Sequence, residues 1–340
     1  MDVTSVPVED PLWREFVLSH PEASPFHLPA WATLVADCYG FESFALMALD
    51  SAGEVLAGAP VVTVRSPFGR ARWVSLPYSD CCPLLVRPGA DEGDVIDALR
   101  THVLGSPVAG LEVRAPLPAA QDLHAIEAGY DYLLPLPWDS ADLHPSKGHR
   151  RNLNHAIRQG IRVEQGSSAK DVETFYRLHT LTRRRQGVPV QPHRFFDLIA
   201  ERLLAGGHGF VATAKLDGEP LAAVLYLTHN GTLMAKYRAS DPARQDTGAG
   251  FLVDWEIMAA AGEMGFHTLD FGRTDRDADG QRRYKSGWGA TEQPLVYTLI
   301  ASQAPQTERP HVGDLPRRII RHSPLWVCRA LGEVLYRWTA

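Results

Sequence analysis

Apolar residues recur along this chain in two registers, every second position and every third or fourth, and the switches between them mark out its elements. In the second half, Asp171 to Gln186 and Pro192 to Ala205 carry the helical period and stop at Gly206-Gly207. Phe210 to Leu216, Pro220 to Thr228 and Thr232 to Ala239 read as strands. They are joined by Asp217-Gly218 and Asn230-Gly231, pairs that suit two-residue hairpin turns. A helix over Phe251 to Glu263 places Phe251, Trp255, Met258 and Gly262 on one face, and His267 to Phe271 reads as a buried strand. The first half follows the same order. Helices are predicted at Asp10 to Leu18 and Pro29 to Tyr39, and strands at Phe44 to Asp50, Glu54 to Arg65 and Arg72 to Leu76, with a turn over Ser66 to Gly69. A helix at Asp91 to Leu104 and a strand at Leu111 to Arg114 come next, then a helix over Ala119 to Ala128 and a strand from Tyr130 to Trp138.

Each half therefore reads helix, helix, three antiparallel strands, helix, strand. This order predicts an α/β (α+β) chain of two tandem domains, each a mixed, mostly antiparallel sheet flanked by helices. Pro137, Pro145 and Gly148 interrupt the periodicity between Trp138 and Arg162, which sets the domains at 1–140 and 146–300. Residues 301–340 comprise a polar linker, Ala301 to Gly313, and an amphipathic helix candidate, Leu315 to Trp338, that carries Arg317, Arg318, Arg321, Arg329 and Arg337.

A length of 340 residues accommodates two such cores. With 45% hydrophobic and 22% charged residues, the composition is that of a soluble globular protein, and a net charge of −6 disfavours nucleic-acid binding as the main function. Cys38, Cys81, Cys82 and Cys328 show no paired spacing, so no metal site is expected and a reducing, cytoplasmic setting fits. The N-terminal residues lack the pattern of a signal peptide.

Candidate chemistry concentrates after His267–Phe271. Gly272-Arg273-Thr274-Asp275 opens an Asp- and Gly-rich loop through Gly280, followed by Tyr284-Lys285, Trp288-Gly289-Ala290 and a strand from Leu295 to Ile300. Loops held by rigid strands commonly carry chemistry, although any one of these charges is equally at home on a solvated loop. Phe271-Gly-Arg-Thr-Asp275, then Tyr284-Lys285, Trp288-Gly289-Ala290, Glu292 and Pro294-Leu295-Val296-Tyr297, resembles the FemAB-like branch of the GNAT superfamily. That branch contains the Fem aminoacyltransferases, which add amino acids to peptidoglycan precursors, and other N-acyltransferases. The resemblance covers about residues 1–300 and implies two tandem GNAT-like domains, of which the second is catalytic.

The resemblance also implies residue roles. Lys285 would steady the oxyanion formed as an amine attacks an acyl carbonyl, with Tyr284 and Trp288 beside it and Arg273 nearby. Asp270 and Asp275 are candidate bases and Tyr237 a candidate proton donor, while an ion pair for Asp275 and core packing for Tyr237 are the structural alternatives. Gln245-Asp246-Thr247-Gly248-Ala249-Gly250 matches the loop with which GNAT enzymes hold the pyrophosphate of coenzyme A. Small residues there let backbone N–H groups approach phosphates at a helix N-terminus. The expected donor is therefore acyl-CoA, with aminoacyl-tRNA second.

The acceptor would be an amine on an envelope, polysaccharide or natural-product precursor. His27, Tyr78 and Asp80 would meet it in an interdomain cleft, and Arg151 and Arg185 would meet its phosphates. Arg151 belongs to a basic stripe over Ser146 to Arg162 with Lys147, His155, Arg158 and Arg162, and Arg185 to the cluster Arg183-Arg184-Arg185. Such stripes also serve as solvated faces. The last helix either docks on the body or rests on an anionic membrane. A non-catalytic module that binds an envelope or polysaccharide precursor is the alternative outside enzymology.

Overall fold

The computed structural model describes residues 1–65, 70–137, 139–304 and 320–336, which fall into two compact units. The first comprises Met1–Gly129 and residues 294–304, the second Tyr130–Gln293 and the described C-terminal helix. The predicted turn over 66–69, most of the linker and the two ends of the 315–338 helix lie outside the described residues.

In the first unit, β1 (Asp2–Val6) is followed by α1 (Pro11–Ser19), α2 (Pro29–Tyr39), β2 (Glu42–Leu49), β3 (Val55–Val64) and β4 (Arg72–Ser75). Next come a two-residue strand β5 (Leu85–Val86), α3 (Glu92–Gly105) and β6 (Leu111–Val113). The chain leaves this unit within β7 (Leu123–Pro135).

The second unit contains α4 (Lys147–Arg158), β8 (Arg162–Gly166), α5 (Ala169–Gln186) and α6 (His193–Ile199), the last running on through a π turn to Leu204. It continues with β9 (Gly209–Leu216), β10 (Glu219–His229), β11 (Thr232–Ser240), α7 (Ala249–Ala260), β12 (Thr268–Asp270) and α8 (Asp279–Gly287). The chain returns to the first unit within β13 (Thr291–Ile300), and α9 (Leu325–Leu335) completes the second.

The repeat expected from the sequence is present and longer than predicted. Each unit reads strand, helix, helix, three strands, helix, strand, with the sheet orders β1-β2-β3-β4-β6-β13 and β8-β9-β10-β11-β12-β7. The first strand is antiparallel to the second in both, and the two partners at the crossover, β4 with β6 and β11 with β12, are parallel in both.

The structure corrects three predicted elements and adds two strands. Ala119 to Ala128 is not a helix; from Leu123 it belongs to β7, whose exposure alternates as a strand's does. The loop after β12 contains α8, which has no apolar residue to announce it. β1 and β8 were not anticipated because they are short, largely polar edge strands. The basic helix ends at Arg158, and Arg162 opens β8.

The core of the second unit packs Leu153 and Ala156 of α4, Leu252, Val253, Ile257 and Met258 of α7, and Trp288 onto the inner faces of β9 to β12. On the other side, α9 docks against α5 and the segment before α6. Arg329 lies 5.5 Å from the Tyr176 ring, Tyr336 accepts a hydrogen bond from Arg183, and Gly332 meets the Val190 backbone. A Cβ at Gly332 would fall 1.8 Å from the Val190 carbonyl oxygen. Gly332→Ala is therefore expected to cost about 1–3 kcal/mol, the usual range for overpacking, and to lower the thermal midpoint of unfolding.

Candidate active site

The second unit holds a cavity of about 540 Å³. Its walls are β10 and β11, the last turns of α5, the segment that leads into α7, Phe271 and Arg273 after β12, and one face of α8. Local sequence explains the opening. Asp241 caps a 3₁₀ turn by accepting from the Ala243 N–H at 2.9 Å, and the chain then reverses at Gly248, φ 75°. A Cβ at Gly248 would lie 2.4 Å from the Asn152 carbonyl oxygen, so the close packing of α4 on this turn requires glycine. Gly250, by contrast, faces open space. Gly248, the N-cap residue of α7, has no side chain to cap the helix; Thr247 Oγ1 accepts from the Ala249 N–H at 3.4 Å, and the first turn carries no acidic residue.

The charge on the wall has a single sign. Arg183, Arg185, Lys236, Arg238, Arg244, Arg273 and Lys285 line the cavity, and no Asp or Glu does. The whole chain nevertheless carries a net charge of −6.

Behind this wall Asp254 is completely buried. Its carboxylate accepts from Tyr226 Oη at 2.9 Å, from Tyr284 Oη at 2.5 Å and from Nη1 of Arg238. The Arg238 guanidinium also lies 5.2 Å from the Phe271 ring centre and 5.4 Å from that of Tyr284. Burial pushes both tyrosine hydroxyls well above their ordinary pKa, and the nearby Asp254 carboxylate adds to the shift. Burial alone would lower the pKa of Arg238, but Asp254 more than offsets it and keeps the group charged.

Lys285, in the last turn of α8, is buried. Its Nζ donates to the Gly272 carbonyl at 2.5 Å and the Arg273 carbonyl at 3.3 Å, and stands 5.1 Å from the Tyr132 ring centre. The lysine thus anchors α8 to the end of β12 while its charge sits at the cavity. His149 of α4 holds the same helix. Its Nε2 donates to the Tyr284 carbonyl at 2.8 Å, and its ring meets Phe251 and Trp288 at right angles. His179 lines the cavity and is buried. Its Nε2 donates to Gln191 Oε1 at 2.9 Å, and burial, aided by Arg183, pushes its pKa down to about 3.

The cavity brings together Lys285, Tyr237, Gln245, Gly248, Ala249, Gly250, Arg185, Arg273 and Tyr284 from the residues singled out in the sequence. Thr247 is buried just outside, donating to the Arg244 carbonyl at 2.6 Å. Asp270 does not line the cavity; its Oδ1 accepts from the Gly272 N–H at 2.6 Å and shapes the turn. Asp275 is exposed and ion-paired with Arg273 at 2.5 Å. Trp288 belongs to the core and Arg151 to the exposed face of α4.

The remaining three candidates lie in the first unit. His27 is fully buried, with Nε2 bonded to the Pro83 carbonyl and Nδ1 accepting from the Ser24 N–H. Tyr78 adopts φ 65° and packs 4.7 Å from the Tyr39 ring, and the Asp80 carbonyl accepts from Tyr297 Oη at 2.7 Å. Sequence reasoning did not single out Asp254, His149 or His179. For Asp254 a signal existed: a lone carboxylate among Leu252, Val253 and Ile257 on the buried side of α7.

Residues 146–286 match the family model described as an acetyltransferase (GNAT) domain. The second unit therefore carries a GNAT domain. No curated protein sequence matches the chain. Among solved structures, the chain is similar to FemX at 16% identity and a TM-score of 0.68, over 89% of this chain and 98% of that one. It is also similar to the C-terminal domain of a putative lysylphosphatidylglycerol synthetase from Agrobacterium fabrum (14%, TM-score 0.53, 79% and 86%). A tandem GNAT protein from the clavulanic acid biosynthesis pathway gives 13%, 0.53, 87% and 97%. At these identities the likeness is one of fold, and it agrees with the FemAB-like tandem architecture read from the sequence.

Within the GNAT domain, Asp254 joins β10, β11, α7 and α8. Asp254→Ala would leave Arg238 and two tyrosine hydroxyls without their acceptor, and it is expected to destabilise the protein by about 3–5 kcal/mol in chemical denaturation.

Proposed function

We propose that this protein is an N-acyltransferase that moves an acyl group from acyl-CoA to an amine acceptor. The observation that carries this reading is the sign of the cavity wall: among the described residues seven cations and no carboxylate, beside a glycine turn at a helix N-terminus with no acidic cap. Such a wall suits a polyphosphate, and the α7 N-terminus adds its own positive end for the pyrophosphate. Arg244 and Gln245 stand at the mouth of that turn.

In the transfer, the amine nitrogen attacks the thioester carbonyl, the C–N bond forms, and collapse of the tetrahedral intermediate breaks the C–S bond. Lys285 supplies positive charge for the oxygen on which negative charge develops. Its burial beside Tyr132 and the backbone of Gly272 and Arg273 lowers the local dielectric and strengthens that effect. No carboxylate reaches the cavity, so the amine's proton leaves through water. Tyr237, on the wall beside His179, is assigned as proton donor to the departing thiolate.

Aminoacyl-tRNA is the second reading of the donor, since it too is a polyanion ending in an acyl ester. One observation favours it: Lys147, Arg150, Arg151 and Arg158 of α4 are all exposed, and α4 packs against the glycine turn. The acceptor is assigned to the class of amines on envelope, polysaccharide or natural-product precursors. A peripheral membrane role for α9 is consistent with Trp326, which is 69% exposed, and among the described residues no helix is long and apolar enough to cross a membrane.

Incubation with acyl-CoA or with aminoacyl-tRNA and a mixed amine pool, read by mass spectrometry, tests the assignment. CoA-dependent products insensitive to RNase are expected, and RNase-sensitive transfer would replace acyl-CoA with tRNA. A phosphate ligand bound without turnover on either donor would indicate a binding module.

Two variants sharpen this. Lys285→Met is expected to lower kcat by about 10²–10³-fold, the usual loss for one oxyanion-stabilising group. Gly250→Glu has room for its Cβ, so the fold survives, but a carboxylate then stands at the phosphate turn. Calorimetry should show CoA affinity falling by about tenfold or more, equivalent to roughly 1.4 kcal/mol.

A further inference from the structure

Arg238 uses only one side of its guanidinium. Nη1 pairs with Asp254, and the plane is flanked by Phe271 and Tyr284. Nε and Nη2, which together form the side-on fork of an arginine, are both enclosed and have no hydrogen-bond partner. Two unmade donors on a buried cation are costly to keep, and this pair belongs to a residue on the wall of the cavity. The fork matches a carboxylate, whose two oxygens accept both N–H groups in parallel.

We infer that the GNAT cavity takes a donor whose acyl group carries a carboxylate, held bidentately by Nε and Nη2 of Arg238. The inference rests on the acyl-CoA reading and narrows it to dicarboxylic acyl groups. Three features support it. The fork's neighbours are two aromatic rings, which suit a planar, singly charged group better than a hydrated phosphate. Arg238 lines the same cavity as Lys285, whose ammonium is assigned to the reacting carbonyl. The absence of any Asp or Glu from the lining leaves nothing in the cavity to oppose a further anion. Both donors are closed to water although the side chain as a whole is 27% exposed, so the carboxylate engages them as the guanidinium turns about its contact with Asp254.

The test compares succinyl-CoA with butyryl-CoA, which have the same four-carbon length and differ in a terminal carboxylate or methyl, with free CoA as the third probe. Binding is measured by calorimetry on the full chain and on Arg238→Lys. Removing the cation altogether would leave Asp254 buried and unpaired. Lysine keeps a positive charge for Asp254 but has no fork. Circular dichroism and the thermal midpoint establish that the variant is folded.

The wild-type protein is expected to bind succinyl-CoA about tenfold or more tightly than butyryl-CoA, the value of a charge-assisted pair. In Arg238→Lys the ratio should fall towards one. Equal affinities in the wild type overturn the carboxylate inference and leave the donor reading intact. A variant that loses affinity for all three probes alike also overturns it, because the fork would then hold a phosphate common to them. If none of the three binds, the donor reading fails and this inference with it.

Discussion

A carboxylate removed from water is tolerated only when its charge and lone pairs are matched, and Asp254 organises the second unit around that requirement. It draws one group from each of three other elements, Tyr226 from β10, Arg238 from β11 and Tyr284 from α8. The last contact matters most for function. In α8 the sequence DGQRRYKSG offers only Tyr284 to the core, where its ring packs on Phe251 and Trp288, so the helix has no apolar stripe to bury. Tyr284 on Asp254, Lys285 on the Gly272 and Arg273 carbonyls, and His149 on the Tyr284 carbonyl place it instead. The helix that carries the candidate chemistry is thus positioned by polar bonds to a buried frame.

On the proposed mechanism Lys285 has two roles that cannot be separated by position alone. Its donors are partly spent on backbone carbonyls, which fixes the ammonium to within a narrow range of positions, as preorganised electrostatic stabilisation requires. A lysine free to swing would bring the same charge but would have to be ordered at the moment of reaction. The carbonyls do not neutralise it. They orient it, and the surrounding cations keep the cavity attractive to anions as a whole.

How much of this was legible in the sequence depends on the range of the interactions involved. The repeated element order followed from local periodicity and two Xaa-Gly turns, and the glycine loop followed from short spacing that fits a strand-to-helix turn. β1 and β8 escaped because an edge strand with one solvated face and polar alternation looks like a loop. Ala119 to Ala128 misled because alanines favour helix, while the neighbour that this part of β7 packs with, β13 with Leu295 and Tyr297, comes from far along the chain. Asp254 escaped for a related reason. Its partners lie 16, 28 and 30 residues away, and nothing in the spacing of Tyr226, Arg238 and Tyr284 shows that they converge. Asp270 and Asp275 were attractive as bases because they sit next to the motif. Their bonds to Gly272 and Arg273 show them shaping the turn that receives Lys285.

The two units share a topology but differ in the charge at the equivalent helix N-terminus, and this difference supports the proposal that the second is the donor domain. In the second unit, α7 begins after a glycine turn with only the neutral Thr247 hydroxyl on its first N–H and no acid in its first turn. In the first unit, α3 begins at Asp91, whose side chain accepts from the Asp94 N–H, and Glu92 and Asp94 occupy its first turn. A carboxylate cap satisfies the same backbone donors and the same positive helix end that a phosphate would use. In α3 that anion is built into the chain. In α7 no such anion is built in, and on the proposed reading a ligand would supply it, its sign set by the cations gathered on β11, α5 and α8.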